Sequence, residues 1–584
     1  HSGIGSKILK TSRKIGLPED TSLLILALIV GIGGGLGAVL FRKLIRLSNY
    51  ILFDIFFNQI KHISFGSYLL PIVPGIGGLF VGLMIYYFAR EARGHGVPEV
   101  MDAVANKGGI IRPRVVFVKM LASAICIGSG GSTGREGPII QIGSALGSSF
   151  GQFFKLSTER IKILLGCGAA AGMAATFNAP IAGTLFPLEI ILGDFSIKTF
   201  SPIILSSVIA TAVSWKFLGS APAFILPEYK LISNYEFLLY LLMGIIMGFV
   251  GVAYIRTLYY TDDRFLKLKK IPEYVHPAIG GILMGFIAIK FPQIMGNGYE
   301  AIEQALHGKL TLTVLLFLLF AKPIGTSLTL GSGGSGGIFA PSLFIGAVAG
   351  GCFGKIANII FPSITAPYGA YSLVAMGAVV GAVTHAPLTG IIIIFELTNN
   401  YRIILPLMFC TITSTVIAKL LLSESIYTMD LLRKGIRFRK GRNVSMLEEI
   451  PVSDVMTRNF DKVSEETPIK SILNLIQKSR FTAFPVTDSY GYLKGIITFN
   501  DIRSILFEEY LHPLLIAKDI ATFPVVTIKP DDNLSEALRK MEEGDFDLLP
   551  VVKGKNGQVL MGVITRDDLL NRYHKEFFVE ATKK

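Results

Sequence analysis

Hydrophobic runs follow one another along most of the chain, near residues 22–41, 69–88, 114–128, 200–218, 236–254, 277–290, 311–330, 370–383 and 403–422. Several are long enough to cross about 30 Å of hydrocarbon as helices. Others are short and interrupted by Gly or Pro, which predicts broken helices in place of uniform rods. The pattern changes near residue 435, after which β-branched runs alternate with helical stretches and predict a soluble α+β region.

The apolar region repeats itself. GSGGSTGREGPIIQIGSALG (128–147) aligns without a gap to GSGGSGGIFAPSLFIGAVAG (331–350). GHGVPEVMDAV (94–104) pairs with GNGYEAIEQAL (296–306), and FNAPIAGTLFPLE (177–189) with THAPLTGIIIIFE (384–396). A duplicated half with Gly/Pro-broken segments at equivalent positions points to a transporter whose binding site lies near the midplane between the halves. The tail carries a second repeat: 454–476 corresponds to 519–541, FPV (484–486) to LPV (549–551) and GIITFNDI (495–502) to GVITRDDL (562–569). Each of its units reads as strand, helix, strand, strand, helix.

Composition agrees with a membrane protein: 51% of the 584 residues are hydrophobic, 17% are charged, and mean hydropathy is +0.55. Residues 451–584 hold 18 Lys and Arg against 20 Asp and Glu, so the excess of +14 belongs to the membrane part and its flanks. A polyanion-binding tail is thereby disfavoured, and no nucleic-acid partner is expected. Lys7, Lys10, Arg13 and Lys14 precede the first span and Arg437, Arg439, Lys440 and Arg442 follow the last, which predicts two cytoplasmic ends and an even number of crossings. The polar, basic first twenty residues predict no cleavable signal. Cys126, Cys167, Cys352 and Cys410 all lie in apolar segments and suggest neither a metal site nor a disulfide framework.

The stretch GSGGSTGREGP (128–138) sets a full arginine and a full glutamate between apolar segments. A phosphate loop would need Gly-Lys-Ser/Thr where Gly134-Arg135-Glu136 stands. Glycines serving only helix packing leave the charge unexplained, since an intramembrane carboxylate is costly unless it has a role. Gly-rich turns at two repeat-related positions would instead aim two helix N-termini at one midplane point, which favours an anion. A glutamate beside that point can fill it as a tethered anion and leave when protonated or displaced. Arg135 either raises the local potential or makes a packing or headgroup contact.

At these residues the chain resembles the CLC family of chloride channels and proton/chloride exchangers. The resemblance is carried by GREGP (134–138), GIFAP (337–341), GHGVP (94–98) and IYTMD (426–430), with a tail similar to paired CBS domains. It implies that Glu136 is the gating glutamate within the motif formed by Gly134, Arg135, Gly137 and Pro138. It also implies that His95, the backbone N–H groups of Ile338 and Phe339 between Gly337 and Pro341, and the Tyr427 hydroxyl bind the anion. A homodimer with two independent pores and inverted repeats is implied as well. The expected fold is an all-α polytopic membrane domain of two repeated halves, followed by an α+β tandem CBS pair. The expected divisions are an N-terminal cytoplasmic segment (1–20), halves about 21–220 and 221–435, a basic linker (436–450), and CBS domains at 451–510 and 511–584.

Two positions depart from the family pattern. His95 stands where Ser is usual; a neutral imidazole can replace a hydroxyl donor, an imidazolium would bind the anion more tightly, and a ring turned away would leave coordination to backbone amides. Ile190 stands where exchangers commonly carry a second, proton-bearing glutamate, which favours passive conduction, with neighbouring Glu189 as an alternative carrier. Glu189 and its repeat partner Glu396 also read as structural acceptors, Asn178 and His385 as turn fasteners, and Lys119 as a buried structural cation.

In the tail, Thr498/Asp501 and Thr565/Asp568 stand at strand-to-helix turns, where they either contact an adenosine nucleotide (ATP, ADP or AMP) or cap their own helices. The function expected is chloride or other anion transport through a glutamate-gated pore, channel-like, modulated by the tail and requiring no cofactor, in a plasma or inner membrane. Proton-coupled exchange is the alternative. A divalent-cation transporter would need more intramembrane carboxylates, and an enzyme would need a catalytic constellation the chain does not present.

Overall fold

The computed structural model describes residues 19–61, 66–221, 224, 229, 231–436, 450–479, 481–503, 505, 510, 512–554, 559–569 and 571–572. The two basic clusters and most of the linker lie outside them. The chain divides into two compact units, His1–Lys440 and Gly441–Lys584.

The first unit is helical and its two halves use matching elements. The first half contributes α1 (Glu19–Asn49), α2 (Ile72–Phe88), α3 (Val97–Asn106), α4 (Arg114–Gly128), α5 (Glu136–Phe153), α6 (Thr158–Phe177), α7 (Pro180–Phe186) and α8 (Ile197–Leu218). The second contributes α9 (Glu236–Leu266), α10 (His276–Lys290), α11 (Tyr299–Leu306), α12 (Leu312–Gly331), α13 (Phe339–Ile360), α14 (Tyr368–Thr384), α15 (Pro387–Thr398) and α16 (Ile404–Leu421), with α17 (Ile426–Arg433) after it. Among the described residues seven helices are long and apolar enough to cross a membrane.

Local chemistry makes the breaks. α6 and α14 each end in a left-handed residue, Asn178 (φ 60°) and His385 (φ 56°), and a proline at the first position starts the helix that follows. A proline there loses nothing, because the first N–H groups of a helix have no acceptor within it.

Reciprocal contacts relate the halves. Glu189, in the π-helical turn that continues α7, accepts from the N–H groups of Leu388 (3.2 Å) and Thr389 (2.8 Å); Glu396 accepts from those of Ile181 (2.9 Å) and Ala182 (2.7 Å). Each carboxylate thus caps the helix start of the other half, as a two-fold relation requires. Gly134 and Gly337, equivalent residues, pair antiparallel through N–H to O contacts of 2.8 and 2.6 Å. Equivalent segments leading into α5 and α13 therefore run in opposite directions, as inverted repeats require. Packing is close where glycines meet: a methyl on Gly143 would overlap the Gly168 carbonyl, and one on Gly168 the Gly143 carbonyl.

The second unit contains a hairpin in each repeat, β2 (Ala483–Thr487) with β3 (Leu493–Thr498) and β4 (Leu548–Lys553) with β5 (Val559–Thr565). Register shifts fall at the equivalent steps Val486/Thr487 and Val551/Val552. Amphipathic helices α18 (Ile469–Lys478) and α20 (Leu534–Gly544) cover them, with the short α19 (Phe499–Arg503) between. Ile469, Ile472, Phe484 and Ile497 fill one core, and Leu534, Met541, Leu549 and Ile564 the other. The first repeat opens with β1 (Val463–Ser464), parallel to β2. The expected opening strand of the second is reduced to a single bridge, Ile528 to Val551. Pro524 and Pro530 flank that bridge and remove ladder donors.

Candidate functional site

Three chain segments that are far apart in sequence meet where the halves join. The 134–137 and 337–339 turns are held together by the Gly134–Gly337 pair, and the 94–96 turn joins them through Gly94 N–H to Gly334 O (2.9 Å) and Gly336 N–H to Gly94 O (3.3 Å). Two fully buried lysines at repeat-related positions fasten the outer turns. Lys119 Nζ donates to the carbonyls of Ala92 (2.9 Å) and Gly94 (2.8 Å), and Lys322 Nζ to those of Ile294 and Gly296 (both 2.8 Å). Lys119 is thus the structural cation its apolar helix suggests.

Glu136 opens α5 and is fully buried. Its Oε1 accepts from the Tyr299 hydroxyl at 2.8 Å, and its Oε2 faces the Ala340 N–H at 3.4 Å. The carboxylate therefore lies against the N-terminal turn of α13, whose first N–H groups have no acceptor within the helix. Ile338 caps that helix and Phe339 begins it, both about 1% exposed. Gly134, Gly137, Pro138, Gly337 and Pro341 are all buried around the same turn. Arg135 leaves this cluster: its guanidinium lies 5.3 Å from the Tyr299 ring centre and reaches the Thr176 carbonyl at 3.5 Å, beside a small cavity it shares with Arg42.

His95 and Tyr427 lie together, ring centres 5.7 Å apart. Phe186 bridges from Tyr427 (6.3 Å) to Phe339 (6.3 Å), so the His95, Tyr427 and Phe339 expected at one locus are brought to it. The His95 Nδ1 atom is buried without a hydrogen-bond partner among the described residues. α17 carries Tyr427 and is tied down on two sides. Arg433 pairs with Asp262 (3.3 Å) and Asp263 of α9, Lys434 with Glu99 of α3 (2.6 Å), and the Tyr259 hydroxyl donates to the Ile426 carbonyl.

Ile190 is about 1% exposed within the turn that continues α7. Glu189 beside it is occupied by three donors, the third being the Thr389 hydroxyl at 2.7 Å. Among the described residues no cluster of three or more His, Cys, Asp or Glu could hold a metal.

Both Thr-x-x-Asp pairs of the tail bond internally. Asp501 accepts from the Thr498 N–H and hydroxyl (both 2.7 Å), and Asp568 from the Thr565 N–H (3.0 Å) and hydroxyl (2.7 Å). The Asp568 N–H returns to the Thr565 hydroxyl at 3.1 Å, closing a capping box. Asp568→Ala should lower tail stability by about 1–2 kcal/mol, the usual value of such a cap. Thermal unfolding of the full chain in detergent checks this, and an unchanged melting profile would contradict it.

Tyr299 and Lys322 are the site residues that sequence reasoning missed. Lys322 was signalled by its repeat partner Lys119. Tyr299 was signalled only by a polar ring standing where the other half has Val97.

The family model described as "Voltage gated chloride channel" matches residues 77–419, and CBS domain models match 452–508 and 517–575. The chain is 32% identical over 438 residues, 74% of its length, to the H(+)/Cl(-) exchange transporter ClcA of Vibrio campbellii, covering 93% of that protein. It is 29% identical to chloride channel protein CLC-f of Arabidopsis thaliana across 93% of this chain and 78% of that one. Among solved structures it resembles a slow cyanobacterial Cl-/H+ antiporter, with TM-score 0.66 and 27% identity over 72% of this chain and 98% of the other.

Proposed function

Because the chain belongs to the voltage-gated chloride channel (CLC) family and carries two CBS domains, we propose that it is an integral membrane protein that conducts chloride passively along a path gated by Glu136. The observation that carries the gate is the Glu136 carboxylate folded against the N-terminal turn of α13, a helix start whose free N–H groups favour negative charge. Neutral donors hold a partly dehydrated anion weakly enough to release it. Phe339 and Ile338 supply backbone N–H groups, Tyr427 a hydroxyl, and His95 a ring nitrogen that has no other partner among the described residues. Passive conduction is supported by Ile190, which cannot carry a proton, and by Glu189, whose carboxylate is committed to the start of α15.

The second reading is proton-coupled exchange, favoured by the identity to a protein named as an H(+)/Cl(-) exchange transporter. The full proposal includes a homodimer, cytoplasmic ends in a plasma or inner membrane, and a regulatory tail. Adenosine nucleotide at the tail would meet the turns at Thr498/Asp501 and Thr565/Asp568, whose carboxylates are already oriented by their own threonines.

Paired flux recordings decide between the readings. In liposomes with a chloride gradient and a voltage-clamping ionophore, chloride should leave with no driven proton movement. Uphill proton uptake in fixed ratio to chloride would overturn passive conduction and bring Glu189 or a water path into the mechanism.

A further inference from the structure

We propose that Tyr299 is the catch that holds the Glu136 carboxylate in its seat, an inference that rests on the gate reading above. The Tyr299 hydroxyl donates to Oε1 at 2.8 Å, whereas the Ala340 N–H stands 3.4 Å from Oε2. The tyrosine contact is the shorter of the two, and a neutral donor to a carboxylate is among the stronger hydrogen bonds a side chain makes.

The ring that carries this hydroxyl is itself positioned. The Arg135 guanidinium lies 5.3 Å from its centre, and Phe224 meets it edge-on at 5.7 Å. Tyr299 begins α11, directly after Gly298, whose φ of 75° turns the chain into that helix. The gate therefore belongs to one half of the repeat and its catch to the other. Lys322 and Tyr427 also lie within electrostatic reach of Glu136, but they act through space. Tyr299 is the side chain bonded to the carboxylate among the described residues.

A carboxylate leaving the seat must break this bond, so the hydroxyl sets the fraction of time the path is blocked. Tyr299 is a positioning residue for transport, and its effect must vanish when the gate is absent.

Four proteins reconstituted in liposomes test this: the parent chain, Tyr299→Phe, Glu136→Ala and the double variant. Tyr299→Phe keeps the ring contacts and should raise chloride flux roughly ten-fold, the factor expected when one charge-assisted bond is lost. Glu136→Ala should raise it at least as far, and Tyr299→Phe should add nothing in that background. Tyr299→Met, which also lacks the hydroxyl, should reproduce the increase if the phenylalanine variant elutes as aggregate. Parent-level flux in Tyr299→Phe beside an increase in Glu136→Ala removes the catch and leaves the gate. An equal effect of Tyr299→Phe in both backgrounds also removes the catch, since the ring would then act through packing. Unchanged flux in Glu136→Ala removes the gate reading, and the catch with it.

Discussion

Alanine at Gly137 is expected to reduce chloride transport at least ten-fold and to lower the stability of the purified protein. A methyl group there would overlap the His95 carbonyl oxygen and come within 3.0 Å of the Gly337 Cα. Both obstacles are backbone, so no rotamer change relieves them. Overpacking costs about 1–3 kcal/mol where side chains can shift. Here the displaced groups are turns held by Gly134 N–H to Gly337 O (2.8 Å), Gly337 N–H to Gly134 O (2.6 Å) and Gly94 N–H to Gly334 O (2.9 Å). Each bond lost inside the protein leaves polar groups unpaired at a further cost of about 1–3 kcal/mol. The turns that carry His95, Glu136 and Phe339 would separate together. Liposome flux and a thermal ramp followed by size-exclusion chromatography measure both effects. Parent-level flux with an unchanged ramp would show that the three turns are less tightly joined than their contacts imply.

How much of this arrangement is legible in the sequence depends on whether the signal is local. The helix breaks are local: Asn178-Ala-Pro and His385-Ala-Pro announce a left-handed residue followed by a helix start. Glu136 is legible because a carboxylate between apolar runs demands a reason. The repeat alignment made Glu189 and Glu396 partners before any contact was visible, although it could not say that each caps the other's half. The meeting of His95 with Tyr427 is a tertiary event between residues separated by most of the membrane unit, and it entered only through family resemblance. Tyr299 was hidden for a different reason. One tyrosine among 20 looks like packing until its hydroxyl is seen on Glu136. In the tail, β-branched residues at 525–528 promised a full strand, and the flanking prolines allowed a single bridge.

The inverted repeat also explains why the two halves diverge at the site while matching elsewhere. Glu136 in one half corresponds to Phe339 in the other, and Val97 to Tyr299. A perfectly symmetric site would place two carboxylates, or none, beside one anion position. One glutamate, facing a helix start and a hydroxyl from the other half, leaves a single carboxylate at the junction, as the proposed gate requires. Symmetry is kept where it serves stability, in the paired lysines and the reciprocal glutamate caps.

That asymmetry makes Gly134 a sharper probe than Gly137. A methyl on Gly134 would occupy the space now filled by Glu136 Oε2, with the Ala340 Cβ 3.1 Å away as its next neighbour. The obstacle is the far end of a flexible side chain, and Gly134 is not among the glycines with positive φ, so alanine fits the backbone and the carboxylate must yield. Gly134→Ala should therefore expel the Glu136 carboxylate, with the Ala340 side chain giving way by only a few tenths of an ångström. Chloride flux should rise by about ten-fold or more, the scale set by losing the bonds to Tyr299 and Ala340. Adding Glu136→Ala to Gly134→Ala should then change nothing. If the methyl group itself closes the path, flux falls in both variants, and the seat of Glu136 lies on the narrowest part of the anion route.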